Sequence, residues 1–235
     1  MLVTCVCPTA DRPTFTAEAI GHFVRQSYLA YNLRLLVFDT SLTCFVSPLT
    51  PAETDGATGP DGLCRIVRRW EPRHPDDTIG AIRNRANSLA LTLWPNTDLL
   101  AHWDSDDYYS PDRISTQVSQ IAESGKSVVG FARAKFTDGV TWWRYEGTIA
   151  YALGASLVYR PGYWVSHPFP SKQIGEDSDW TRTSWNENQL LRTDACFDPL
   201  PRYTPADMLV VRCHAGNTSP KVPASNWHLL QESQD

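Results

Sequence analysis

Apolar and polar residues alternate in two ways along the first half of the chain. Short apolar runs predict four strands, at 2–7, 33–38, 65–70 and 99–103. Apolar residues at helical spacing predict three helices, at 14–27, 79–93 and 111–123. Short apolar strands that alternate with helices are typical of a mostly parallel sheet with helices packed on both faces. The pattern therefore predicts an α/β protein.

The pattern changes beyond residue 125. Aromatic and β-branched residues dominate three further predicted strands, at 128–136, 140–145 and 149–159. Gly and Asp-Gly steps interrupt them, as in antiparallel sheets. A helix over 177–190 and a last strand over 208–212 are predicted after them. Because no repeat and no clear linker divides the sequence, we expect both halves to belong to one domain.

Composition narrows the class of protein. The chain has 235 residues, of which 42% are hydrophobic, and this is ample for one large domain with a buried core. Its formal net charge of −5 argues against a protein that mainly grips nucleic-acid backbone. No apolar run approaches the roughly 20 residues of a membrane helix, so no membrane span is predicted. The N-terminus lacks the basic start of a signal peptide, and we therefore expect a cytoplasmic protein.

A cluster of carboxylates follows the apolar run that ends at Trp103. Asp104, Asp106 and Asp107 repel one another unless a cation or solvent screens them. Acidic turns after strands are common, so a solvated turn is one interpretation. An Asp-x-Asp pair also presents the oxygen ligands that Mg²⁺ and Mn²⁺ take beside substrate phosphates. The cluster alone leaves both interpretations open.

Other polar motifs stand at predicted strand ends and helix starts, where parallel α/β sheets bind ligands. In chain order they are Thr9 with Asp11 and Arg12, Asp39, Arg83 with Asn84, Glu176 with Asp177, and His214 with Asn217. In isolation, Glu176 and Asp177 are best explained as acidic residues that suit the positive end of a helix dipole. A lone histidine such as His214 is usually a surface residue. The order of these motifs along the chain is more informative than any one of them.

Taken in order, these segments resemble the family 2 glycosyltransferases. The most specific pieces are the start over 8–13 and the acidic cluster followed by Pro111, Asp112 and Arg113. The resemblance covers about 3–219. It implies the GT-A fold, which is a Rossmann-like, mostly parallel sheet with helices on both faces and a smaller antiparallel region on the acceptor side. It also implies that 1–125 form the nucleotide-sugar-binding half and 126–235 the acceptor-binding and catalytic-base half of one domain.

The resemblance also implies the role of each motif. Asp104 faces the nucleotide and binds, with Asp106, the Mn²⁺ or Mg²⁺ that bridges the diphosphate. Asp177 is the expected general base with Glu176 beside it, and Asp179 is the alternative. His214 is a candidate metal or phosphate ligand. The donor-binding candidates are Thr9, Asp11, Arg12, Asp39, Arg83, Asn84, Asp104 and Ser105.

The implied reaction is an inverting, metal-dependent transfer of a sugar from a nucleoside-diphosphate sugar to an acceptor hydroxyl. A divalent cation neutralises charge that develops on the leaving phosphate, and a carboxylate takes the acceptor's proton. A nucleotidyltransferase of related fold is the alternative, although 8–13 lacks the Gly of the usual phosphate loop. A non-catalytic nucleotide-sugar-binding module is a further alternative.

The sequence does not distinguish between a saccharide, a protein, a lipid-linked compound and a nucleic acid as the acceptor. It also predicts no oligomeric state. Indole rings stack on sugars, and several tryptophans fall in the second half. The candidates for acceptor stacking are Trp142, Trp143, Trp164, Trp180 and Trp185.

Overall fold

The computed structural model describes residues 1–43, 65–196, 198, 200–217 and 225–231. One mixed sheet of eleven strands runs through this part of the chain. The strands are β1 (Val3–Thr9), β2 (Leu33–Asp39), β3 (Ile66–Trp70), β4 (Leu99–His102), β5 (Tyr108–Tyr109), β6 (Val128–Thr137), β7 (Trp142–Glu146), β8 (Val158–Tyr159), β9 (Leu190–Asp194), β10 (Leu209–Arg212) and β11 (Trp227–Leu229). The helices are α1 (Pro13–Val24), α2 (Ile79–Leu93), α3 (Arg113–Ser124), α4 (Pro161–Ser166) and α5 (Glu176–Asn186). Short 3₁₀ turns lie at Ala30–Asn32 and Gly154–Ser156.

The first half of the chain forms the parallel part of the sheet. Strand β1 lies between β2 and β4 and is parallel to both, while β3 adds to β2 in parallel. Successive residues of β2 enter opposite apolar layers, because side chains alternate across a strand. Leu35 and Val37 pack in the layer that holds residues of α1 and α3, whereas Leu36 and Phe38 pack in the layer that holds residues of α2 and α5. The predicted α/β class, with helices on both faces of the sheet, is confirmed.

The second half is built around β6. Strands β7 and β8 pair with it antiparallel, and β9 and β10 pair with it in parallel. Strand β8 also pairs antiparallel with β4, so the sheet is continuous between the two halves. The predicted antiparallel region is therefore present, but it is mixed.

Two predicted elements of the second half have the wrong extent. The strand over 149–159 is reduced to β8, because the Ser156 hydroxyl bonds to the Leu153 carbonyl and the Phe131 amide and closes a 3₁₀ turn. The predicted helix over 177–190 ends at Asn186. The left-handed φ of 59° at Asn188 turns the chain into β9.

Within the described residues, no helix is both long and apolar enough to cross a bilayer. The four cysteines described, Cys5, Cys7, Cys196 and Cys213, are free thiols.

Candidate active site

A cleft opens where β1 and β4 end and where α2 and α5 begin. This arrangement is expected, since ligands of parallel sheets lie beyond the carboxyl ends of the strands. Seven of the predicted site residues line it, namely Arg12, Arg83, Asp104, Ser105, Asp106, Glu176 and Asp177. They come from four separate segments of the sequence.

Arg83 connects two carboxylates across the cleft floor. Its guanidinium donates to Asp104 through Nη1 and Nη2 at 3.1 and 3.4 Å, and through Nε to Glu176 Oε1 at 3.3 Å. Burial alone lowers the pKa of Arg83, but the charges of Asp104 and Glu176 outweigh it and raise that pKa. Glu176 is 5% exposed, and burial raises its pKa while Arg83 opposes the rise. Arg83 thus holds the two acidic motifs of the cleft together.

Three donors converge on one oxygen of Asp106. Its Oδ2 accepts from Arg12 Nη1 at 2.7 Å, His214 Nε2 at 3.0 Å and Asn217 Nδ2 at 3.3 Å. Arg12 follows β1, whereas His214 and Asn217 follow β10. Asp106 therefore ties the end of the first strand to a segment close to the C-terminus.

Asp104 and Asp106 fit a divalent cation better than His214 does. Mg²⁺ and Mn²⁺ are commonly held by one or two carboxylates plus substrate phosphates, and both carboxylates line the cleft. His214 Nδ1 accepts from the Gly216 amide at 3.1 Å, so Nε2 carries the ring proton. In this arrangement His214 presents a proton rather than a lone pair to Asp106. Among the described residues, no group of three or more His, Cys, Asp or Glu side chains is placed to hold an ion.

Asp177 lies at the opposite wall of the cleft, in the first turn of α5. Its Oδ2 accepts from the Tyr151 hydroxyl at 3.0 Å, and its Oδ1 accepts from the Ser178 amide at 2.7 Å. The carboxylate packs directly on Gly154, where an added Cβ would lie 2.5 Å from Oδ2. Motif reasoning did not find Tyr151, because one tyrosine among nine carries no sequence signal.

Asp179, the alternative base, points elsewhere. Its carboxylate pairs with Lys172 and Arg182, and it does not line the cleft.

A second groove adjoins the cleft near the ends of β1 and β2. Thr9, Arg12 and Thr40 line it. Asp39 stands beside Thr40, and its Oδ1 accepts from the Ser41 amide at 2.9 Å and hydroxyl at 2.5 Å. Asp11 is exposed, with a left-handed φ of 53°. The structure therefore brings four of the predicted donor-binding residues, Thr9, Asp11, Arg12 and Asp39, to one region.

Asn84 is a predicted site residue whose side chain lies away from the cleft. Its Oδ1 accepts from Trp164 Nε1 and from the Phe169 amide, and its Nδ2 donates to the Phe169 carbonyl. One residue along a helix is a rotation of about 100°, so Asn84 and Arg83 leave α2 in different directions. Asn84 anchors the 164–169 segment and does not line the cleft.

Two of the five candidate tryptophans are buried, while Trp142 and Trp143 are partly exposed. Trp164 and Trp180 are 7% and 2% exposed, and Trp143 packs against the Trp227 ring. Trp185 is 38% exposed.

A further groove lies on the other side of Asp177. Besides Asp177, it is lined by Tyr145, Thr148, Ala150, Tyr151, Ile174, Gly175, Ser178 and Arg182. Asp177 and Tyr151 thus border this groove and the cleft at once.

Comparison with known proteins found a match in structure alone. No protein-family model and no curated protein matches the sequence. Among solved structures, S. aureus TarS in complex with UDP-GlcNAc superposes with a TM-score of 0.65 at 15% identity, over 93% of this chain and 60% of TarS. The mannosyltransferase PcManGT from Pyrobaculum calidifontis, in complex with GDP-Man and Mn²⁺, gives 0.54 at 16% identity, over 82% of this chain and 54% of that one. The chain has the GT-A fold.

The GT-A fold confirms the architecture that the motif order implied. The chain spans 60% or less of the length of these structures. At 15–16% sequence identity, the similarity to these structures shows the fold alone.

Proposed function

We propose that this protein is an inverting, divalent-metal-dependent glycosyltransferase that moves a sugar from a nucleoside-diphosphate sugar to an acceptor hydroxyl. The observation that carries the proposal is that Asp104 and Asp106 line one cleft of a GT-A fold together with Asp177, which is far from them in sequence. Structures of this fold with bound UDP-GlcNAc and GDP-Man support a nucleotide-sugar donor.

The proposed binding of the nucleotide-sugar donor depends on a positive charge beside the cleft. Arg12 is the cation best placed for the diphosphate, because its side chain is 25% exposed and lines both the cleft and the neighbouring groove. Guanidinium groups bind phosphate oxygens in two-point contacts. Thr9, Thr40 and Asp39 would then face the nucleoside. Residues 1–125 supply all of these groups, which supports their assignment as the donor half.

Asp104 and Asp106 would hold the Mn²⁺ or Mg²⁺. The bound ion would neutralise the negative charge that develops on the leaving diphosphate. Arg83 keeps Asp104 in place, while the Arg12 guanidinium leaves Asp106 for the phosphates. The complex of PcManGT with GDP-Man and Mn²⁺ supports a divalent ion in this fold.

Asp177 would be the general base. It separates the donor cleft from the groove lined by Tyr145, Thr148 and Arg182, from which an acceptor hydroxyl would approach. Attack from that side, opposite the leaving diphosphate, inverts the anomeric centre without a covalent intermediate. Residues 126–235 contribute the base and this groove, in line with an acceptor-binding half. We place the reaction in the cytoplasm, and the free thiols accord with a reducing compartment.

The test uses water as the acceptor. The protein is incubated with UDP-GlcNAc or GDP-mannose, with and without Mn²⁺, and release of UDP or GDP is measured. We expect turnover that needs the ion and that falls by about 10²–10⁴-fold in Asp177→Asn, because the base is lost, while the donor KM is retained. The exposed Glu123→Gln on α3 is the control carboxylate substitution.

Two outcomes would contradict the proposal. No release of UDP or GDP from the sugar nucleotides, together with release of pyrophosphate when UTP or GTP and a sugar 1-phosphate are supplied instead, would indicate nucleotidyl transfer. Tight, Mn²⁺-dependent donor binding with no turnover, even when saccharide acceptors are added, would indicate a binding module.

A further inference from the structure

Buried polar side chains connect α2 to the turn beneath Asp177. Asn87 Nδ2 donates to the Tyr159 hydroxyl at 2.8 Å, and this hydroxyl lies 3.1 Å from His102 Nε2. His102 Nδ1 in turn lies 2.7 Å from the Gly154 carbonyl oxygen. Asn87, His102 and Tyr159 are each at most 1% exposed. The residues thus form a continuous chain inside the protein.

The hydrogen bonds of this chain run in one direction. A carbonyl oxygen accepts and cannot donate, so His102 Nδ1 carries the proton. Nε2 of the neutral ring then accepts from the Tyr159 hydroxyl, which leaves the tyrosine oxygen free to accept from Asn87. The Gly154 carbonyl therefore fixes the tautomer of His102, and the Tyr159 hydroxyl pairs with the ring nitrogen that carries no proton.

Gly154 is the platform on which the Asp177 carboxylate packs. Besides Oδ2, the Cβ and Cγ atoms of Asp177 would lie 3.0 and 3.1 Å from a Cβ at Gly154. Tyr151, which donates to Asp177, belongs to the same short segment. A shift of the Gly154 backbone would consequently move the surface beneath Asp177.

We infer that His102 is a positioning residue that holds the Asp177 carboxylate in place through the Gly154 carbonyl. The inference rests on the proposed role of Asp177 as the base. His102 itself does not line the cleft, so it acts without touching the substrate.

The decisive comparison is between His102→Leu and His102→Asn, assayed with UDP-GlcNAc or GDP-mannose, Mn²⁺ and water. The leucine removes the side-chain donor to the Gly154 carbonyl and leaves only the Leu157 amide at 3.3 Å, whereas the asparagine amide can replace Nδ1. We expect kcat to fall by about 10–100-fold in His102→Leu with an unchanged donor KM, and to stay within about threefold of wild type in His102→Asn. Thr97→Val is the control, because it removes the buried hydroxyl pair of Thr4 and Thr97 away from the site.

A double-substitution cycle separates positioning from a general loss of stability. In the Asp177→Asn background, His102→Leu should cause no further loss of kcat, because its effect passes through Asp177. An equal loss in both backgrounds, or a loss no larger than in Thr97→Val, would overturn the inference. Full activity in Asp177→Asn would instead show that Asp177 is not the general base. Failure of the positioning inference and failure of the proposed function therefore give different results.

Nitrogen NMR of the histidine ring tests the inference even if His102→Leu does not fold. The wild-type spectrum should show a protonated Nδ1 and an unprotonated Nε2 for His102. Tyr159→Phe removes the donor to Nε2 but leaves the Gly154 carbonyl in place, so we expect Nδ1 to stay protonated and kcat to fall less than in His102→Leu. A wild-type ring protonated at Nε2 would refute the inference.

Discussion

Arg83 illustrates how much of the cleft depends on one side chain. Its guanidinium is 8% exposed and contacts Asp104 and Glu176, which belong to the two acidic motifs of the sequence. The planar, forked donor set of arginine allows both contacts at once, whereas a lysine ammonium is a single point charge. The separation of the two carboxylates is therefore set by the guanidinium between them.

Replacing Arg83 with lysine should weaken both stability and donor binding. We expect Arg83→Lys to lose about 3 kcal/mol of unfolding free energy, since a buried carboxylate is left without its partner. Urea denaturation measures this loss, and thermal shift with UDP-GlcNAc and Mn²⁺ measures donor binding. Arg85→Lys on the same helix is the control. Its pair with Asp77 is partly exposed, and a loss as large as that of Arg83→Lys would contradict the expectation.

At the residue scale, position in the fold is predictable where it depends on the local sequence. Asp104 and Asp106 follow a strand and precede a helix, and the strand end alone places them beside the cleft. Asn84 shows the limit of such reasoning, because its partners at 164–169 are fixed by tertiary packing. Tyr151 and His102 are invisible for the same reason.

At the scale of elements, helix α1 carries a histidine, His22, whose protonation makes the stability of the folded protein depend on pH. His22 Nδ1 accepts from Arg25 Nη2 at 3.1 Å, and the ring meets Tyr108 edge-on. Burial lowers the pKa of His22 from 6.5 to about 4, and the positive charges of Arg25 and Arg212 add to this effect. The folded protein therefore prefers the neutral ring.

The sign of the pH dependence follows. Between about pH 6.5 and about pH 4, His22 is protonated in the unfolded chain but neutral in the folded chain. The contribution of His22 to the unfolding free energy is therefore complete above pH 6.5 and is lost as the pH falls towards 4. We expect the unfolding free energy to decrease less from pH 7 to pH 4.5 in His22→Gln than in wild type. Urea denaturation at both pH values checks this, with His74→Gln as a variant that removes a loop histidine. Equal decreases in wild type and His22→Gln would refute the assignment.

Element boundaries were predictable where the local signals are complete. Helix α2 has the predicted bounds, and the Thr78 hydroxyl caps it by accepting from the Ala81 amide. The segment 149–159 has equally strand-like residues, yet most of it is irregular because side chains such as Ser156 bond to its backbone. The spacing of apolar residues in the sequence does not reveal these hydrogen bonds between side chains and the backbone.

At the scale of the whole molecule, the order of strands differs from the order of the chain. Strand β8 lies between β4 and β6, so the sheet made by the first 125 residues has an unpaired edge at β4 until β8 is in place. Antiparallel pairing between distant segments is not evident from apolar patterning, and the sequence therefore indicated two halves without showing how they join.

A chain truncated after Gly125 should consequently associate instead of remaining monomeric. Its β4 edge is apolar and unpaired, and such edges pair with other chains. Size-exclusion chromatography of this fragment beside the full chain tests the expectation, and a chain truncated after Arg160, which retains β8, is the informative comparison. A monomeric, cooperatively folding fragment ending at Gly125 would contradict it.

The position of β8 also has a consequence for synthesis. A ribosome delivers β4 more than fifty residues before the strand that covers its edge. During this interval the nascent chain displays an open sheet edge, at a time when its neighbours on other ribosomes display the same one. Folding yield in the cell should accordingly depend on translation speed over 103–160 and on chaperones that shield nascent strands.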